Sequence, residues 1–329
     1  MPGSLVGVVA ARPEVAVWEF AVLGLAGLIV MTVAADQLVV GSGRLAARWG
    51  VSPVVVGVVV IGFGTSAPEL VVSGLAAAHG ETGLALGNLA GSDIINLTLV
   101  LGLAGLVGPL AVRSSVPRRE APLAAAAVAL FALLAAVGLG RAGGAVLALA
   151  TGGAVVLLLR FSRVRPADPM AAEVTEFLAT GPAPRAGRDV LRALLGLAGT
   201  LLGAQVLVSS AAGAAGRLGL SPAVIGFTVV ALGTSVPELV TTVQAQRRRE
   251  GDLVVGNLLG SNLINSVGGG ALVGLAGRGT PARLGWPAAG ALVGVSLLAW
   301  LLLHRRRRLT RPEAGLLLVV YLLTVPLLV

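Results

Sequence analysis

The chain has 329 residues, of which 56% are hydrophobic and only 12% are charged, and its formal net charge is +9. A soluble helical protein needs a polar face on each helix, and most of the apolar stretches in this chain have none, which excludes that class. The basic residues are all arginines and are not accompanied by a soluble basic domain with base-stacking aromatic residues, so no nucleic-acid partner is expected.

Apolar runs of about 17–25 residues, long enough to cross the hydrocarbon core of a bilayer, recur along nearly the whole chain. The one long hydrophilic stretch, Arg163–Arg188, divides them into two groups of five. The pattern predicts an all-α, polytopic membrane protein with ten transmembrane helices, at residues 17–40, 53–78, 83–107, 121–139, 143–160, 190–213, 222–245, 252–276, 285–303 and 313–329. We assign residues 13–162 to a first five-helix repeat, 163–188 to a cytoplasmic linker and 189–329 to a second five-helix repeat.

The arginines predict the orientation of these spans. With ten spans and an outside N-terminus, 19 of the 24 arginines fall in loops on the inner side, including Arg44 and Arg48 after the first span. Arginine and lysine collect in cytoplasmic loops, so both termini should face outward. We expect a multi-pass protein of the cytoplasmic (inner) membrane that lies in the lipid bilayer and functions as a monomer.

The second span and the start of the third recur in the second half of the chain. Residues 52–96 align without a gap with residues 221–265, and 22 of the 45 positions are identical. Because five spans per half is an odd number, the second copy must cross the membrane upside down relative to the first. The connections agree with this, since His79–Thr82 is predicted outside and its counterpart Arg247–Glu250 inside. The chain is therefore predicted to contain two inverted repeats.

Both copies contain the motifs GTSxPEL and GNLxGS. The acids of the first motif, Glu69 and Glu238, lie well inside predicted spans, where an ionisable side chain is costly and functional by default. Two carboxylates that approach across the symmetry axis would cancel the charge of one Ca2+, a hard cation that prefers oxygen ligands. The pair predicts a divalent-cation site near the membrane midplane.

A proline precedes each of these acids. Pro68 and Pro237 have no amide hydrogen and clash with the carbonyl four residues earlier, which frees backbone oxygens in the preceding turn. Free carbonyls at membrane depth are tolerated where they line a cavity or bind something. We therefore expect the backbone before each proline to supply ligand oxygens.

Polar side chains spaced by four residues share a helix face and should point toward the same centre. These pairs are Thr65 with Glu69, Thr234 with Glu238, Ser92 with Asn96, and Ser261 with Asn265.

The motif pairs GTSAPEL with GNLAGSDIIN, and GTSVPEL with GNLLGSNLIN, resemble the two alpha-repeats of the cation/calcium exchanger superfamily, in particular its prokaryotic sodium/calcium exchanger branch. The alpha-1 motif would cover residues 57–102 and the alpha-2 motif residues 226–271. The resemblance implies a secondary active antiporter, not an enzyme, that exchanges several Na+ for each Ca2+ and needs no cofactor. It also implies alternating access, in which the first and sixth spans slide across a stationary core.

The resemblance further implies a set of ligands, carried over at the matching positions. The Ca2+ ligands would be Glu69, Glu238 and the main-chain oxygens of Thr65 and Thr234. Flanking Na+ sites would be formed by Ser66, Ser92, Ser235 and Ser261, with the carbonyls of Gly62 and Ala231. The central cavity would be lined by Asn96 and Asn265.

Two positions depart from the pattern of the family. Prokaryotic exchangers of this type often have Asp where this chain has Asn265, and the potassium-dependent branch also has an acid there, so K+ dependence is not expected. Asp93 stands where Asn is usual, and we assign it no role.

Asp36, near the inner end of the first span, is compatible with a gating role and equally with a solvated helix end.

The coupling ion stays open at this point. Two buried glutamates can also carry protons, so an H+-coupled antiporter of Ca2+ or another divalent cation is the alternative. A passive channel is disfavoured because paired carboxylates would hold a divalent ion too long for fast conduction. An intramembrane enzyme is disfavoured because the chain has no cysteine, and its two histidines, His79 and His304, lie at span ends away from the acids.

Overall fold

The structure, a computed structural model, describes residues 17–49, 62–114, 116–163, 175, 176, 179, 185–278, 281 and 283–328. In the first half its elements are α1 (Val17–Arg48), α2 (Gly62–Thr65), α3 (Ala67–Ala78), α4 (Thr82–Ile95), a π-helical segment (Asn96–Val100), α5 (Leu101–Val107), β1 (Leu110–Ala111), α6 (Val116–Val137) and α7 (Arg141–Arg163). In the second half they are α8 (Ala186–Leu218), α9 (Pro222–Ile225), a π-helical segment (Gly226–Val230), α10 (Ala231–Thr234), α11 (Val236–Arg247), α12 (Gly251–Leu263), a π-helical segment (Ile264–Gly269), α13 (Gly270–Ala276), α14 (Trp286–Arg306), β2 (Arg308–Leu309) and α15 (Arg311–Leu328).

The all-α class predicted from the sequence is confirmed. Among the described residues, eight continuous helical stretches are long and apolar enough to cross a membrane. The predicted second span appears as α2 and α3, with its first residues outside the described ranges, and the predicted tenth span corresponds to α15. Most of the predicted linker also lies outside the described residues. The sequence did not predict the short antiparallel pairing of β1 with β2, which places Leu110 opposite Leu309.

Helices α1 and α8 are longer than predicted and pack against each other along their length. A Cβ atom on Gly27 would lie 2.8 Å from the carbonyl oxygen of Gly203, so only glycines allow the two backbones to approach so closely. The prediction that Arg44 and Arg48 lie in a loop is wrong, because α1 continues through Arg48, and Arg44 is only 3% exposed. Their place on the inner side stays a prediction. The Arg44 guanidinium lies 3.6 Å from the buried carboxylate of Asp189 on α8.

A second set of glycine contacts lets α4 of the first repeat pack closely against the second repeat. A Cβ atom on Gly87 of α4 would lie 2.5 Å from the carbonyl oxygen of Ala223 on α9, and one on Gly91 would lie 2.8 Å from that of Phe227. Helix α4 of the first repeat therefore lies in backbone contact with the broken helix of the second repeat. This contact brings polar side chains from the two halves of the chain together.

Each repeat also contains a helix that is interrupted at the GTSxPEL motif. The break falls at Ser66, with φ −79° and ψ −1°, and at its equivalent Ser235, with φ −81° and ψ 4°. Directly after each break, Pro68 and Pro237 occupy the first turn of a new helix, where a missing amide hydrogen costs nothing. The helix break at Ser66 and the helix break at Ser235 therefore have the same local backbone geometry.

Candidate ion-binding site

The two motif glutamates lie in the first turns of α3 and α11, directly after the helix breaks. Both side chains are fully buried, at 0% exposure. Oε1 of Glu69 accepts a hydrogen bond from Ser235 Oγ at 3.3 Å, and Oε1 of Glu238 accepts one from Ser261 Oγ at 3.3 Å. Oε2 of each glutamate has no hydrogen-bond partner. Each acid therefore has one oxygen that is held by the protein and one that is free for a ligand.

Hydrogen bonds between threonine and asparagine cross from one repeat to the other. Thr65 Oγ1 donates to Asn257 Oδ1 at 3.2 Å, and its equivalent Thr234 Oγ1 donates to Asn88 Oδ1 at 3.1 Å. All four side chains are buried. Each broken helix is thus connected to a helix of the opposite repeat on both sides of the pseudo-two-fold axis.

The four predicted serines lie in the same buried region. The hydroxyls of Ser66 and Ser261 are 2.6 Å apart, and that of Ser92 lies 3.3 Å from Thr234 Oγ1. Ser235 contacts Glu69, as described above. The structure therefore brings the predicted hydroxyls together around the two carboxylates.

The two predicted asparagines are buried at 0% exposure but differ in their contacts. Asn96 Nδ2 donates to Ser261 Oγ at 3.2 Å and to Asn262 Oδ1 at 3.0 Å, while its own Oδ1 has no partner. Oδ1 of Asn265 has no hydrogen-bond partner, and its side-chain amide group interacts with the Asp93 carboxyl. Both residues therefore present a free amide oxygen inside the site.

The predicted backbone ligands lie at the short helices α2 and α10. Gly62 is the first residue of α2, and Thr65 is its last. The carbonyl of Ala231, the first residue of α10, accepts a hydrogen bond from the Ser235 amide at 3.1 Å. Thr234 Oγ1 lies 3.3 Å from the same carbonyl, and its single hydroxyl hydrogen is directed either there or to Asn88 Oδ1. The Ala231 carbonyl is therefore already engaged by at least one donor of the protein itself.

Sequence reasoning missed Asn88 and Asn257, which hold the broken helices in place. The signal was present, because Asn88 precedes Ser92 by four residues, just as Ser92 precedes Asn96, so all three share one face of α4 and its π-helical extension. Asp93, which received no role, is also buried at 0% exposure and belongs to this polar region. Asp36 does not, since its side chain is exposed on α1 and contacts Gln37.

The side chains that line the site are of the kinds that bind hard cations. Within the described ranges, no group of three or more His, Cys, Asp or Glu side chains is arranged to hold a metal. The two glutamates are instead surrounded by hydroxyl and amide oxygens, which together with carboxylates are typical ligands of Ca2+. The ten predicted ligand side chains from threonine, serine, glutamate and asparagine are at most 2% exposed, so the site is closed to solvent.

Comparison with known proteins agrees with this geometry. Residues 19–161 and 189–329 match the family described as "Sodium/calcium exchanger protein". The chain belongs to this family. The putative antiporter CaxA of Alkalimonas amylolytica is 35% identical over 311 residues, which is 91% of this chain and 95% of CaxA. The sodium/calcium exchanger MaX1 of Methanosarcina acetivorans is 27% identical over 278 residues, which is 73% of this chain and 78% of MaX1.

The fold is similar to solved structures of the sodium-calcium exchanger NCX_Mj. One of them, soaked with 2.5 mM Na+ and 10 mM Sr2+, has a TM-score of 0.66 at 30% identity and covers 94% of this chain and 99% of that chain. Another, soaked with zero Na+ and Ca2+, has a TM-score of 0.64. The family, these structures and the apolar helices identify the chain as a multi-pass membrane antiporter for Ca2+ and a second cation, and they indicate a transporter rather than an enzyme.

Proposed function

We propose that the protein exchanges Na+ for Ca2+, and that Ca2+ binds between Glu69 and Glu238. The observation that carries this proposal is the pair of fully buried carboxylates, each with a free Oε2. Their described side-chain contacts are with hydroxyl groups, which leave the two negative charges without a counter-charge. Buried carboxylates in a membrane are costly unless they are neutralised, and one Ca2+ would neutralise both.

The Na+ ligands in this proposal are hydroxyl and carbonyl oxygens beside the same carboxylates. They are the hydroxyls of Ser66, Ser92, Ser235 and Ser261 and the carbonyls of Gly62 and Ala231. The main-chain oxygens of Thr65 and Thr234 complete the Ca2+ site. This Ca2+ site lies between Asn96 and Asn265. Because Ser235 and Ser261 bond directly to the two glutamates, Na+ at the serines and Ca2+ at the glutamates would draw on the same negative charges. Mutually exclusive occupancy of this kind is the physical basis of antiport.

Alternating access in this proposal comes from motion of α1 and α8 across the remaining helices. The glycine contacts between Gly27 and Gly203 and the buried ion pair of Arg44 with Asp189 join these two helices to each other. These contacts support a motion in which α1 and α8 move together as one unit. The arginine distribution supports a place in the cytoplasmic membrane with both termini outside.

An H+-coupled antiporter of Ca2+ or another divalent cation is the second candidate. The specific observation in its favour is the same free Oε2 on each buried glutamate, since a proton can neutralise a carboxylate as well as a metal ion can. The two candidates share the Ca2+ site and differ only in the ion that displaces Ca2+.

Uptake of radioactive Ca2+ into proteoliposomes tests the proposal. An outward Na+ gradient should drive uptake in the wild type, and a pH gradient in Na+-free buffer should not. Glu69→Gln and Glu238→Gln should abolish uptake while leaving the protein folded, because one ligand charge is lost without a change of size. Glu81→Gln is the matched control, since Glu81 precedes α4 and makes no capping bond through its side chain.

Two results would contradict the proposal. Wild-type uptake by either purified, monodisperse glutamine variant would remove the basis for the Ca2+ site. Full uptake driven by a pH gradient alone would replace Na+ coupling with H+ coupling.

A further inference from the structure

A cavity of about 810 Å3 lies on the side of the protein that is predicted to face the cytoplasm. It opens where α5 and α11 end and where α12 and α15 begin, which is the level at which spanning helices leave the hydrocarbon core. Four exposed arginines line it: Arg113 after β1, Arg247 at the end of α11, Arg249 in the turn that follows, and Arg311 at the start of α15. Three segments that are distant in the sequence therefore bring basic side chains to one space, which we call the arginine cavity.

The acids near the arginine cavity are engaged elsewhere. Among the described residues, Asp252 is the one acid that lines it, and its buried carboxylate accepts the main-chain amides of Arg113, at 2.9 Å, and Ser114, at 2.8 Å. Glu250 interacts with Arg248, and neither of these two side chains lines the cavity. In the described ranges, no ion pair joins the four lining arginines to an acid. Four arginines against one aspartate leave three positive charges without a counter-charge.

The backbone beneath these arginines is held in place. Gln246 Nε2 donates a hydrogen bond to the Gly108 carbonyl at 2.8 Å, which joins the end of α11 to the end of α5. A Cβ atom on Gly251 would collide with the carbonyl oxygen of Ala111, so the start of α12 lies directly against β1. Together with the amides held by Asp252, these contacts fix the segments from which the arginine side chains extend. A ligand would therefore bind between segments that are already in position, which lowers the cost of binding.

The turn that contains Arg249 is strained by the choice of residue. Arg249 has φ 63°, in the left-handed region that favours glycine, and its equivalent in the first repeat is Gly80, with φ 89°. The hydrogen bonds of the two turns correspond, since the Arg249 amide donates to the Gln246 carbonyl at 3.0 Å and the Gly80 amide to the Ala77 carbonyl at 3.1 Å. Arginine is therefore less favourable than glycine for this turn, and strain of this kind is typical of functional sites.

A general preference for arginine on the inner side does not account for this cluster. That preference places arginines in cytoplasmic loops but does not require that they converge. Arg305 and Arg306, predicted on the same side, lie close enough to Glu313 to interact with its carboxylate. A second cavity, predicted to lie on the outer side, has a volume of about 350 Å3 and two lining arginines, Arg141 and Arg278. The arginine cavity is therefore larger and more basic than its counterpart.

The chemistry of the arginine cavity suits a phosphate group. Guanidinium groups bind phosphate through paired, charge-assisted hydrogen bonds. Basic cavities between transmembrane helices on the cytoplasmic side are sites for the phosphates of anionic lipid headgroups. The apolar side chain of Val107 is 50% exposed at the rim, where it would border the acyl chains of such a lipid.

We propose that the arginine cavity binds an anionic phosphate group. Arg113, Arg249 and Arg311, from the three segments, supply the positive charge that holds it. A lipid headgroup of the inner leaflet and a soluble phosphate share this chemistry, and they can be separated experimentally. The described lining of the cavity includes none of the proposed Ca2+ or Na+ ligands, so the inference is independent of the proposed exchange.

Thermal unfolding of the purified full-length protein in a neutral detergent tests this site. One arm adds dioctanoylphosphatidylglycerol, with dioctanoylphosphatidylcholine, which has no net charge, as its counterpart. The other arm replaces potassium chloride with potassium phosphate at constant ionic strength and pH. The anionic probe should raise the Tm to a plateau, because a ligand that binds only the folded state stabilises it. Arg249→Gly and Arg311→Gln should each raise the probe concentration for half of this rise about fivefold, the factor that corresponds to about 1 kcal/mol per arginine near a membrane surface.

Arg248→Gln is the matched control for this experiment. Arg248 is exposed, lies between two lining arginines in the sequence and does not itself line the cavity, so this variant should keep the wild-type response. Arg249→Gly places glycine where the first repeat already has Gly80, so it should fold at least as well as the wild type. A loss of response in Arg249→Gly would therefore report on the ligand and not on the turn.

The two arms identify the source of the phosphate. A rise with phosphatidylglycerol alone identifies a lipid headgroup, and a rise with potassium phosphate identifies a soluble phosphate. A Tm that neither probe raises would overturn the inference, as would an equal rise with phosphatidylcholine, since negative charge would then play no part. A response that Arg248→Gln weakens as much as Arg249→Gly and Arg311→Gln do would also overturn it, because the probe would then sense the basic surface as a whole.

Discussion

One substitution at two symmetry-related positions, Asn88→Ala and Asn257→Ala, should have very different costs. Asn88 accepts a hydrogen bond from Thr234 at 3.1 Å and donates two, to Ser73 Oγ at 2.9 Å and to the Glu69 carbonyl at 3.3 Å. Asn257 accepts a hydrogen bond only from Thr65, and its Nδ2 has no partner. Both side chains are buried.

The magnitudes follow from these contacts. A buried hydrogen bond contributes about 1 kcal/mol net, so Asn88→Ala should lower the free energy of unfolding by about 3 kcal/mol and Asn257→Ala by about 1 kcal/mol. The volume removed is the same at both positions, so the cavity contribution largely cancels in the comparison. The expected difference of about 2 kcal/mol is roughly a 30-fold difference in the folding equilibrium.

Denaturant unfolding of the two purified variants in the same detergent measures this difference. Ser73→Ala is the control, because it removes one of the three Asn88 contacts together with the hydrogen bond from Ser73 Oγ to the Ala85 carbonyl at 3.3 Å, and it should cost about 2 kcal/mol. An Asn257→Ala variant as unstable as Asn88→Ala, or less stable, would refute the reasoning from hydrogen-bond number.

Three further predictions concern topology, coupling and packing. His79 and Arg248 lie at equivalent, exposed positions of this cysteine-free chain. The variants His79→Cys and Arg248→Cys should therefore react with membrane-impermeant thiol reagents from opposite sides of the membrane. Labelling of both variants from the same side would contradict the inverted repeat. Ser66→Ala and Ser235→Ala should raise the Na+ concentration for half-maximal exchange more than they change Ca2+ affinity, because each removes a neutral ligand at a cost of roughly 1–3 kcal/mol. Equal effects on both ions would count against separate Na+ sites. Gly87→Ala should lower the free energy of unfolding by about 1–3 kcal/mol, since the new methyl group meets the backbone of α9, and an unchanged stability in denaturant would disprove that contact.

Hydropathy and internal repetition were sufficient to predict the helical membrane fold, because a bilayer requires about 20 apolar residues per spanning helix. The four-residue spacing of Thr65 with Glu69 and of Ser92 with Asn96 placed each pair on one helix face, and the structure finds these side chains buried in one region. The assignment of these residues as ion ligands stays a prediction.

The contacts between the repeats could not be predicted in this way. Thr234 bonds to Asn88, 146 positions away, because glycines such as Gly87 let helices of opposite repeats touch at the backbone. The burial of Arg44 likewise depends on the neighbouring α8, which supplies Asp189. A sequence pattern specifies which side chains share one face of a helix. Which other helix packs against that face depends on where the helices cross. The crossing points are set by packing between residues that are distant in the chain.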